Sequence, residues 1–403
     1  MRKPVLLFTV VVSALLVACG AVLAQARPPG GQEPGRYIVV LDEGVSDPGR
    51  AADAMARRYG LGVGFVYGHA LKGFSATIPE ARLDAVRSEG RVAYVEHDST
   101  AHLSAQTLPW GVDRIDADLS SAVAGNGTGS VDGVNAYVLD NGLYRHTDLR
   151  VVGLVNFTGD SNNKDCSGHG THVAGTIAAK DNAQDVVGVA PGAPLTGVKV
   201  FYCNAPDNIS VIIKGVDWVT ANAAKPAVAN MSMALPFDKA LDEAVRNSAA
   251  SGIFYSIAAG NEAEPACNYS PGSAGLSETD TTGDGVVDHK DSNGIVTTAA
   301  TATSARGVNR EASFSNYGEC VDIWAPGVNI LSTQLGGGVT TKGGTSMAAP
   351  HVAGGAVLYL SSHPNASPSA VERALKASAR TQSRLSKDPS DPRHVTLEYV
   401  GGF

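Results

Sequence analysis

Three features are scarce in this chain of 403 residues, and each scarcity excludes a class of protein. Positive charge is outnumbered, with a formal net charge of −8, so no basic face for nucleic acid or anionic lipid is indicated. Long apolar runs are missing beyond the first 30 residues, so no later segment is predicted to span a membrane. Cysteines number five and never have a CxxC spacing, which argues against a structural zinc site. The remaining possibility is a globular protein with one large and one smaller domain.

The first 26 residues have the layout of an export signal. Arg2-Lys3 is a short basic start, residues 5–17 form an apolar core, and Ala24-Gln25-Ala26 offers a small-residue cleavage site. A second interpretation stays open, because the segment ending at Cys19 resembles a bacterial lipobox, which would put a lipid on that cysteine. The complete cleavage site favours the first interpretation, and both predict a protein that leaves the cytoplasm.

The remaining cysteines agree with export. Without Cys19 their number is even, which in an exported protein makes two disulfides plausible. Four cysteines allow three pairings, and their spacing alone does not choose among them. They are Cys166, Cys203, Cys267 and Cys320.

Residues 27–36 form a linker rich in proline and glycine, and a compact segment follows at 37–98. Its pattern predicts strands and helices in the order β-α-β-β-α-β, which suits a small α+β unit with a ferredoxin-like fold. A unit of this size is marginally stable alone. The predicted strands are Tyr37–Leu41, Val63–Tyr67, Gly73–Ile78 and Val92–Glu96, and the predicted helices are Pro48–Tyr59 and Pro79–Glu89.

From about residue 104 the pattern changes to continuous apolar strands that alternate with helices. This alternation predicts an α/β fold of three layers, in which helices cover both faces of a mainly parallel sheet. The strands are Asn135–Leu139, Leu195–Val200, Ala227–Met231 and Ile253–Ala258, and the helices are Thr171–Ala179, Ser210–Asn222 and Phe237–Ala250. Ligand chemistry in such a sheet belongs at the carboxyl ends of the strands.

Four polar residues stand at positions suited to nucleophilic catalysis. Asp140 follows one strand, Asn261 follows another, and His169 opens a helix of small residues. Ser346 follows two glycines and a threonine at the predicted start of a helix, where free N–H groups favour negative charge. Each residue alone suits a cap or a turn, but together they suggest a serine activated by a histidine. A metal site at His169 and His172 is disfavoured, because nothing nearby completes a ligand set.

The stretches around these residues resemble the subtilisin-like serine proteases, in particular the proteinase K and aqualysin branch. The matching stretches are Asp140–Gly142, Gly168–Thr176, Ala229–Ser232, Ala258–Asn261, Asn268–Pro271, Ser313–Gly318 and Gly344–His351. Residues 37–98 resemble the inhibitory propeptide of the same family.

The resemblance implies a subtilisin-like fold over residues 104–403, preceded by an inhibitory propeptide at 37–103. It implies a secreted serine endopeptidase, expected to be a monomer, that cleaves protein or peptide substrates through an acyl-enzyme. The propeptide would act as an intramolecular inhibitor until the enzyme cuts itself at Leu103–Ser104. A catalytically inactive, peptide-binding relative is the alternative, because Met233-Ala234-Leu235 replaces the usual leucine and paired glycines of the substrate groove.

The resemblance also implies roles for single residues. Ser346 would be the nucleophile, His169 its general base and Asp140 the group that orients the imidazole, while Asn261 would donate to the oxyanion. The implied substrate-binding residues are Ala205, Asp207, Ile209, Ser232, Met233, Ala234, Ala258, Ala259 and Gly260. The implied disulfides join Cys166 to Cys203 and Cys267 to Cys320. Asn141 departs from the family, which usually has threonine or serine there.

The last feature is an acidic insertion at residues 275–293. Oxygen-bearing side chains stand at positions 1, 3, 5, 9 and 12 of a loop with glycine at 6, which resembles an EF-hand calcium loop. They are Asp280, Thr282, Asp284, Asp288 and Asp291. A solvated acidic loop is the alternative interpretation. A second calcium site is implied at Asp322, which matches an aspartate at a calcium site of proteinase K; the chemistry itself needs no cofactor.

Overall fold

A computed structural model describes residues 35–98, 106–161, 163–204, 208–276, 292–303, 309–381 and 396–403. The chain divides into two compact units, Met1–His102 and Leu103–Phe403. Within the described ranges, no helix combines the length and the apolar character that crossing a membrane requires.

The first unit is a four-stranded antiparallel sheet with two helices. The strands are β1 (Arg36–Leu41), β2 (Gly62–Tyr67), β3 (Gly73–Thr77) and β4 (Val92–His97), and the helices are α1 (Pro48–Tyr59) and α2 (Glu80–Arg87). The sheet order β2-β3-β1-β4 confirms the predicted ferredoxin-like arrangement. Val39, Met55 and Phe74 are fully buried in its core, whereas Phe65 and Tyr94 are 72% and 50% exposed.

The second unit contains six helices and fourteen strands among its described residues. The helices are α3 (Trp110–Arg114), α4 (His169–Ala178), α5 (Ile209–Asn222), α6 (Lys239–Ala250), α7 (Thr345–Ser362) and α8 (Pro368–Ser378). The strands are β5 (Asn135–Asp140), β6 (Val151–Asn156), β7 (Leu195–Lys199), β8 (Ala227–Met231), β9 (Leu235–Pro236), β10 (Ile253–Ala258), β11 (Tyr269–Ser270), β12 (Ile295–Thr303), β13 (Asn309–Glu311), β14 (Ile323–Pro326), β15 (Ile330–Thr333), β16 (Val339–Lys342), β17 (Arg380–Thr381) and β18 (Thr396–Leu397).

The central sheet has the order β17-β18-β14-β12-β10-β8-β5-β7-β6. Every neighbouring pair from β6 to β18 is parallel, and only β17 and the side strand β13 pair antiparallel, so the predicted mainly parallel sheet is confirmed. Parallel strands joined by helices place the carboxyl ends of β5, β8 and β10 at one edge of the sheet. Asp140, Ser232 and Asn261 stand at or just beyond those ends.

Helix α7 is the longest helix of the described residues and is largely buried. Of its 18 residues 14 are buried, and it packs against β8, β10 and β12. Its sequence is apolar or small on every side, which is the pattern of a helix without a solvent face. The first turn of this helix carries Ser346, so the serine stands on one of the best-packed elements of the fold.

Candidate active site

Asp140 and His169 form a charged hydrogen-bonded pair. Asp140 ends β5 and is only 2% exposed, and His169 is the first residue of α4. The imidazole Nδ1 lies 2.9 Å from both carboxylate oxygens. The Asp140 charge raises the pKa of His169 above its ordinary value, against the effect of burial. The carboxylate therefore selects the tautomer with hydrogen on Nδ1 and leaves Nε2 to accept a proton.

The loop that leads into α4 is held by two further side chains. The carboxylate of Asp165 accepts hydrogen bonds from the backbone N–H of Gly168 at 2.7 Å and of Thr171 at 2.8 Å, so it caps the helix N-terminus. Asn141 donates to the Ser167 hydroxyl and accepts from the Gly170 N–H at 3.2 Å. Asn141, where the sequence departs from the family, thus contributes to the position of His169.

A close backbone approach explains why Gly170 follows the histidine. A Cβ on this residue would lie 2.2 Å from the carbonyl oxygen of Gly142 and 3.1 Å from the Cβ of Asp140. Any side chain would push α4 away from the end of β5 and separate the imidazole from its carboxylate. The glycine is therefore part of the geometry that pairs Asp140 with His169.

His172, one turn further along α4, has a structural environment. It is fully buried, and its Nε2 lies 2.9 Å from the carbonyl oxygen of Ile330, to which it donates. Burial lowers the pKa of His172 to about 4, so the ring stays neutral. Among the described residues no group of three His, Cys, Asp or Glu side chains could hold a metal.

Ser346 is the second residue of α7 and bonds reciprocally with Ser232. Its hydroxyl donates to the carbonyl oxygen of Ser232 at 3.1 Å, and the Ser232 hydroxyl donates to the carbonyl oxygen of Ser346 at 2.8 Å. The amide of Asn230 donates to the Ser232 hydroxyl at 2.9 Å. The end of β8 therefore fixes the first turn of α7, and the serine hydroxyl is directed at Ser232 rather than at His169.

Asn261 is oriented by the residue next to the serine. Its Oδ1 accepts hydrogen bonds from the backbone N–H of Thr345 at 2.8 Å and from the Thr345 hydroxyl at 3.1 Å. An N–H can only donate, so these contacts identify the oxygen of the amide group. The two side-chain N–H bonds of Asn261 then point away from Thr345, on an exposed side chain.

The loop that carries Asn261 is organised by Asn316, which the sequence reasoning did not single out. Asn316 is fully buried; its Oδ1 accepts from the N–H groups of Glu262 and Glu264 at 3.0 Å each, and its Nδ2 donates to Ala259 at 3.0 Å. Gly260 has φ +107°, and a Cβ there would lie 2.2 Å from that amide nitrogen. The only sequence signal was the position of Asn316 within a stretch that matches the family.

The residues predicted to bind substrate differ in exposure. Met233, Ala258, Ala259 and Gly260 are buried, with the Ala259 methyl group packed in a small cluster that includes Cys320 and Trp324. Ala234 is half-buried, as is Ile209 at the start of α5. Ala205 and Asp207 lie outside the described residues.

The structure contains two disulfides, in the pairing that the resemblance implies. Cys166 is joined to Cys203 and Cys267 to Cys320, across sequence separations of 37 and 53 residues. Closing loops of this size is worth about 4 kcal/mol each on the chain-entropy model. The first bridge ties the loop that enters His169 to the segment after β7. Beneath it the fully buried ammonium of Lys199 lies 3.1 Å from a carboxylate oxygen of Asp160.

The residues predicted to bind calcium divide into two groups. Asp280, Thr282, Asp284, Asp288 and Asp291 all lie outside the described residues. Asp322 is described, and its Oδ1 lies 2.7 Å from the ammonium nitrogen of Lys376. A cation from the protein itself therefore already contacts this carboxylate.

Comparisons with known proteins agree with this geometry. The model of the Subtilase family matches residues 132–395, and that of Peptidase inhibitor I9 matches residues 36–104. The chain is 38% identical over 371 residues to alkaline serine exoprotease A of Vibrio alginolyticus, an alignment that covers 86% of this chain and 64% of that protein. It is also 38% identical to an extracellular serine proteinase of Thermus sp. (strain Rt41A), with 85% of this chain and 84% of the relative covered.

A solved structure gives the same result. A crystal structure of a cold-adapted subtilisin-like serine proteinase superposes with a TM-score of 0.59 at 37% identity, covering 73% of this chain and 97% of the other. The predicted subtilisin-like fold and the preceding inhibitor domain are therefore confirmed. The chain spans just under two thirds of the length of the Vibrio protein. The parallel sheet, the pair of Asp140 with His169 and these matches lead to one conclusion: the chain belongs to the subtilase family of serine proteases.

Proposed function

We propose that the chain is an endopeptidase in which Ser346 attacks the substrate carbonyl while His169 accepts the serine proton. His169 then gives that proton to the leaving amine, and water repeats the sequence on the acyl-enzyme. The observation that carries the proposal is the 2.9 Å contact between His169 Nδ1 and Asp140. This contact leaves Nε2 as the one ring nitrogen able to act as a base.

Before attack, the Ser346 hydroxyl has to leave its bond to the Ser232 carbonyl. Rotation about one side-chain bond is enough for this, because the backbone of the serine is already fixed by α7 and β8. Catalytic hydrogen bonds are often poorly aligned without substrate and shorten once it binds. Binding of the substrate carbonyl would therefore turn the hydroxyl towards His169.

The negative charge of the tetrahedral intermediate needs donors that are already in place. The backbone N–H of Ser346 lies in the first turn of α7, where helical N–H groups have no partner within the helix. The side-chain N–H of Asn261 is the second donor, and the bond of Thr345 to its Oδ1 fixes its direction. The dipole of α7 adds favourable positive potential at the same point.

A fluorophosphonate that reacts only with activated serines tests this function. We expect one equivalent of label on the chain, at Ser346, with release of the leaving group in a burst. A catalytically inactive, peptide-binding relative would take up no label. The Ser346→Ala variant is the control and should stay unlabelled; label on that variant would contradict the assignment of the nucleophile.

The inhibitor domain predicts synthesis as an inactive precursor. We place the signal at residues 1–26, with lipid on Cys19 as the alternative, and the self-cleavage at Leu103–Ser104, in a segment outside the described residues. Residues 99–103 would lie in the substrate groove as an added strand until release. Mass spectrometry of the secreted protein tests all three: a first residue outside 102–106 would contradict the cleavage site.

We expect aliphatic or aromatic residues before the cleaved bond. The resemblance to the family implies that substrate lies as a strand between segments 204–209 and 232–234. Pro206 lacks the N–H that would bond to such a strand. Profiling with a peptide library tests this expectation, and a requirement for a basic residue at that position would refute it.

Subtilases commonly bind structural calcium, and we place it in the insertion at Asp280–Asp291. Four aspartates within 12 residues repel one another unless a cation lies between them. Chelation should lower the melting temperature, and Asp284→Ala should remove part of that shift without loss of the active serine. An unchanged melting temperature in excess chelator would exclude the site.

A further inference from the structure

The second calcium position that the resemblance implies, at Asp322, contains donor groups of the protein itself. This residue precedes β14, and its Oδ2 accepts the backbone N–H of Thr297 in β12 at 2.9 Å. Its Oδ1 lies 2.7 Å from the ammonium of Lys376, which belongs to the last turn of α8. Both oxygens of the carboxylate are therefore already in contact with donors of the protein.

A second carboxylate holds the same ammonium. Glu372, one turn earlier on α8, lies 3.0 Å from Lys376 through Oε1 and accepts the backbone N–H of Gly294 through Oε2 at 2.8 Å. The Glu372 side chain is 2% exposed and that of Asp322 is 15% exposed. The ammonium thus stands between two largely buried carboxylates, which is a position that demands a cation.

The neighbouring backbone oxygens are also in use. Gly275 is close to the carboxylate, since a Cβ on it would lie 3.3 Å from Oδ2 of Asp322. The carbonyl oxygens of Ala274 and Gly275 accept from the side-chain amide of Asn293 at 3.1 and 3.2 Å. Calcium needs 6 to 8 oxygen ligands, and at this point the described oxygens are bonded to N–H groups or to an ammonium.

We propose that Lys376 is the resident cation of the Asp322 carboxylate, so that this position takes an internal ammonium instead of calcium. The ammonium joins α8 to β12 and β14, which is the structural role a metal ion would have had there. Calcium dependence of the protein then resides elsewhere. Because the cation is covalently part of the chain, chelators cannot remove it.

Melting temperatures of the full chain test this proposal, measured in calcium and in chelator after the active serine is blocked with a sulfonyl fluoride. Asp322→Asn should leave the shift between calcium and chelator the same as in the unsubstituted protein. Lys376→Met should lower the melting temperature in chelator by roughly 5 °C, because it leaves two buried carboxylates without a cation. When Asp322 is already asparagine, Lys376→Met should lower the melting temperature clearly less.

Two controls keep the interpretation specific. Lys376→Arg retains a cation, so its melting temperature should stay close to that of the unsubstituted protein. If Lys376→Met does not fold, a large loss of melting temperature in Lys376→Arg would contradict the proposal instead. Lys214→Met removes an exposed pair with Asp217 and should change little. The proposal is overturned if Asp322→Asn abolishes part of the calcium shift, or if Lys376→Met costs no more than Lys214→Met.

Discussion

Two carboxylates at opposite ends of the central sheet differ in the basic side chain that each one holds. Asp140, at the carboxyl end of β5, holds the imidazole of His169, and Asp322, just before β14, holds the ammonium of Lys376. An imidazole releases its proton near neutral pH, whereas an ammonium beside two carboxylates keeps it. On the functions proposed above, the same kind of pair would therefore serve proton transfer at one end and cohesion at the other.

The largest effect on activity should come from removing either His169 of the first pair or Ser346. Ser346→Ala and His169→Ala should each remove nearly all peptidase activity, several orders of magnitude in kcat, and the double variant should be little worse, because the residues act as a unit. Turnover of casein and of a chromogenic peptide measures this. Lys376→Arg, on the second pair, is the matched control and should keep full activity. Substantial activity in Ser346→Ala would refute the assignment.

Asp140→Asn should come next, with a loss of about 10⁴-fold in kcat, because an amide no longer selects the required tautomer of His169. The pH profile adds a second measure. Activity of the unsubstituted enzyme should fall as the pH drops through the raised pKa of His169, since imidazolium cannot accept the serine proton.

Asp140 is the largest cause of that raised pKa, so its loss should move the acid limb to lower pH. The exposed Asp132, paired with Arg150, provides the control variant Asp132→Asn. An acid limb that stays in place would mean that another group titrates there.

Asn261→Ala should have a smaller effect, roughly 10²–10³-fold in kcat with little change in KM, because only the transition state has the full oxyanion charge. The loss in kcat can then be compared between the neutral donor Asn261 and the pair of Asp140 with His169. Asn222→Ala, at an exposed position at the end of α5, is the control. A change confined to KM would indicate a role in substrate binding instead.

The smallest effect on stability should come from a carboxylate that contacts no cation among the described residues. Glu398 is 1% exposed, and neither of its carboxylate oxygens has a hydrogen-bond partner among the described residues. Burial raises its pKa well above the ordinary value. A folded pKa above the unfolded one costs stability as the pH rises past the unfolded value near 4.5. Glu398→Gln should therefore raise the melting temperature by a few degrees at pH 9 and less at pH 5; equal shifts at both pH values would contradict this.

Elements with a regular apolar pattern were predicted well from the sequence. The predicted helix Pro48–Tyr59 and the strands Ala227–Met231 and Ile253–Ala258 have the predicted bounds. Strand β12 was missed because, after Ile295 and Val296, its sequence IVTTAATAT consists only of threonine and alanine. Thr297, Thr298 and Thr301 are nevertheless fully buried, which a hydrophobicity pattern does not reveal.

The candidate site was predicted through its motifs, but the groups that hold it were not. Asn316 and the pair of Lys376 with Asp322 act through contacts between residues more than 50 positions apart in sequence. A single sequence provides no signal for such contacts, because an unpaired lysine and one paired with buried carboxylates have the same local pattern. These side chains could be identified only from the fold.

The burial of α7 has a consequence for amide hydrogen exchange. Backbone groups of a helix that is buried on 14 of 18 residues can meet solvent only when the domain unfolds globally. The amides after the first turn should therefore exchange at the rate set by global unfolding. This should hold both for the free protein and for the protein with fluorophosphonate on Ser346. Local opening would instead be confined to exposed segments outside this helix, so the backbone of Ser346 keeps its position while its hydroxyl remains able to rotate.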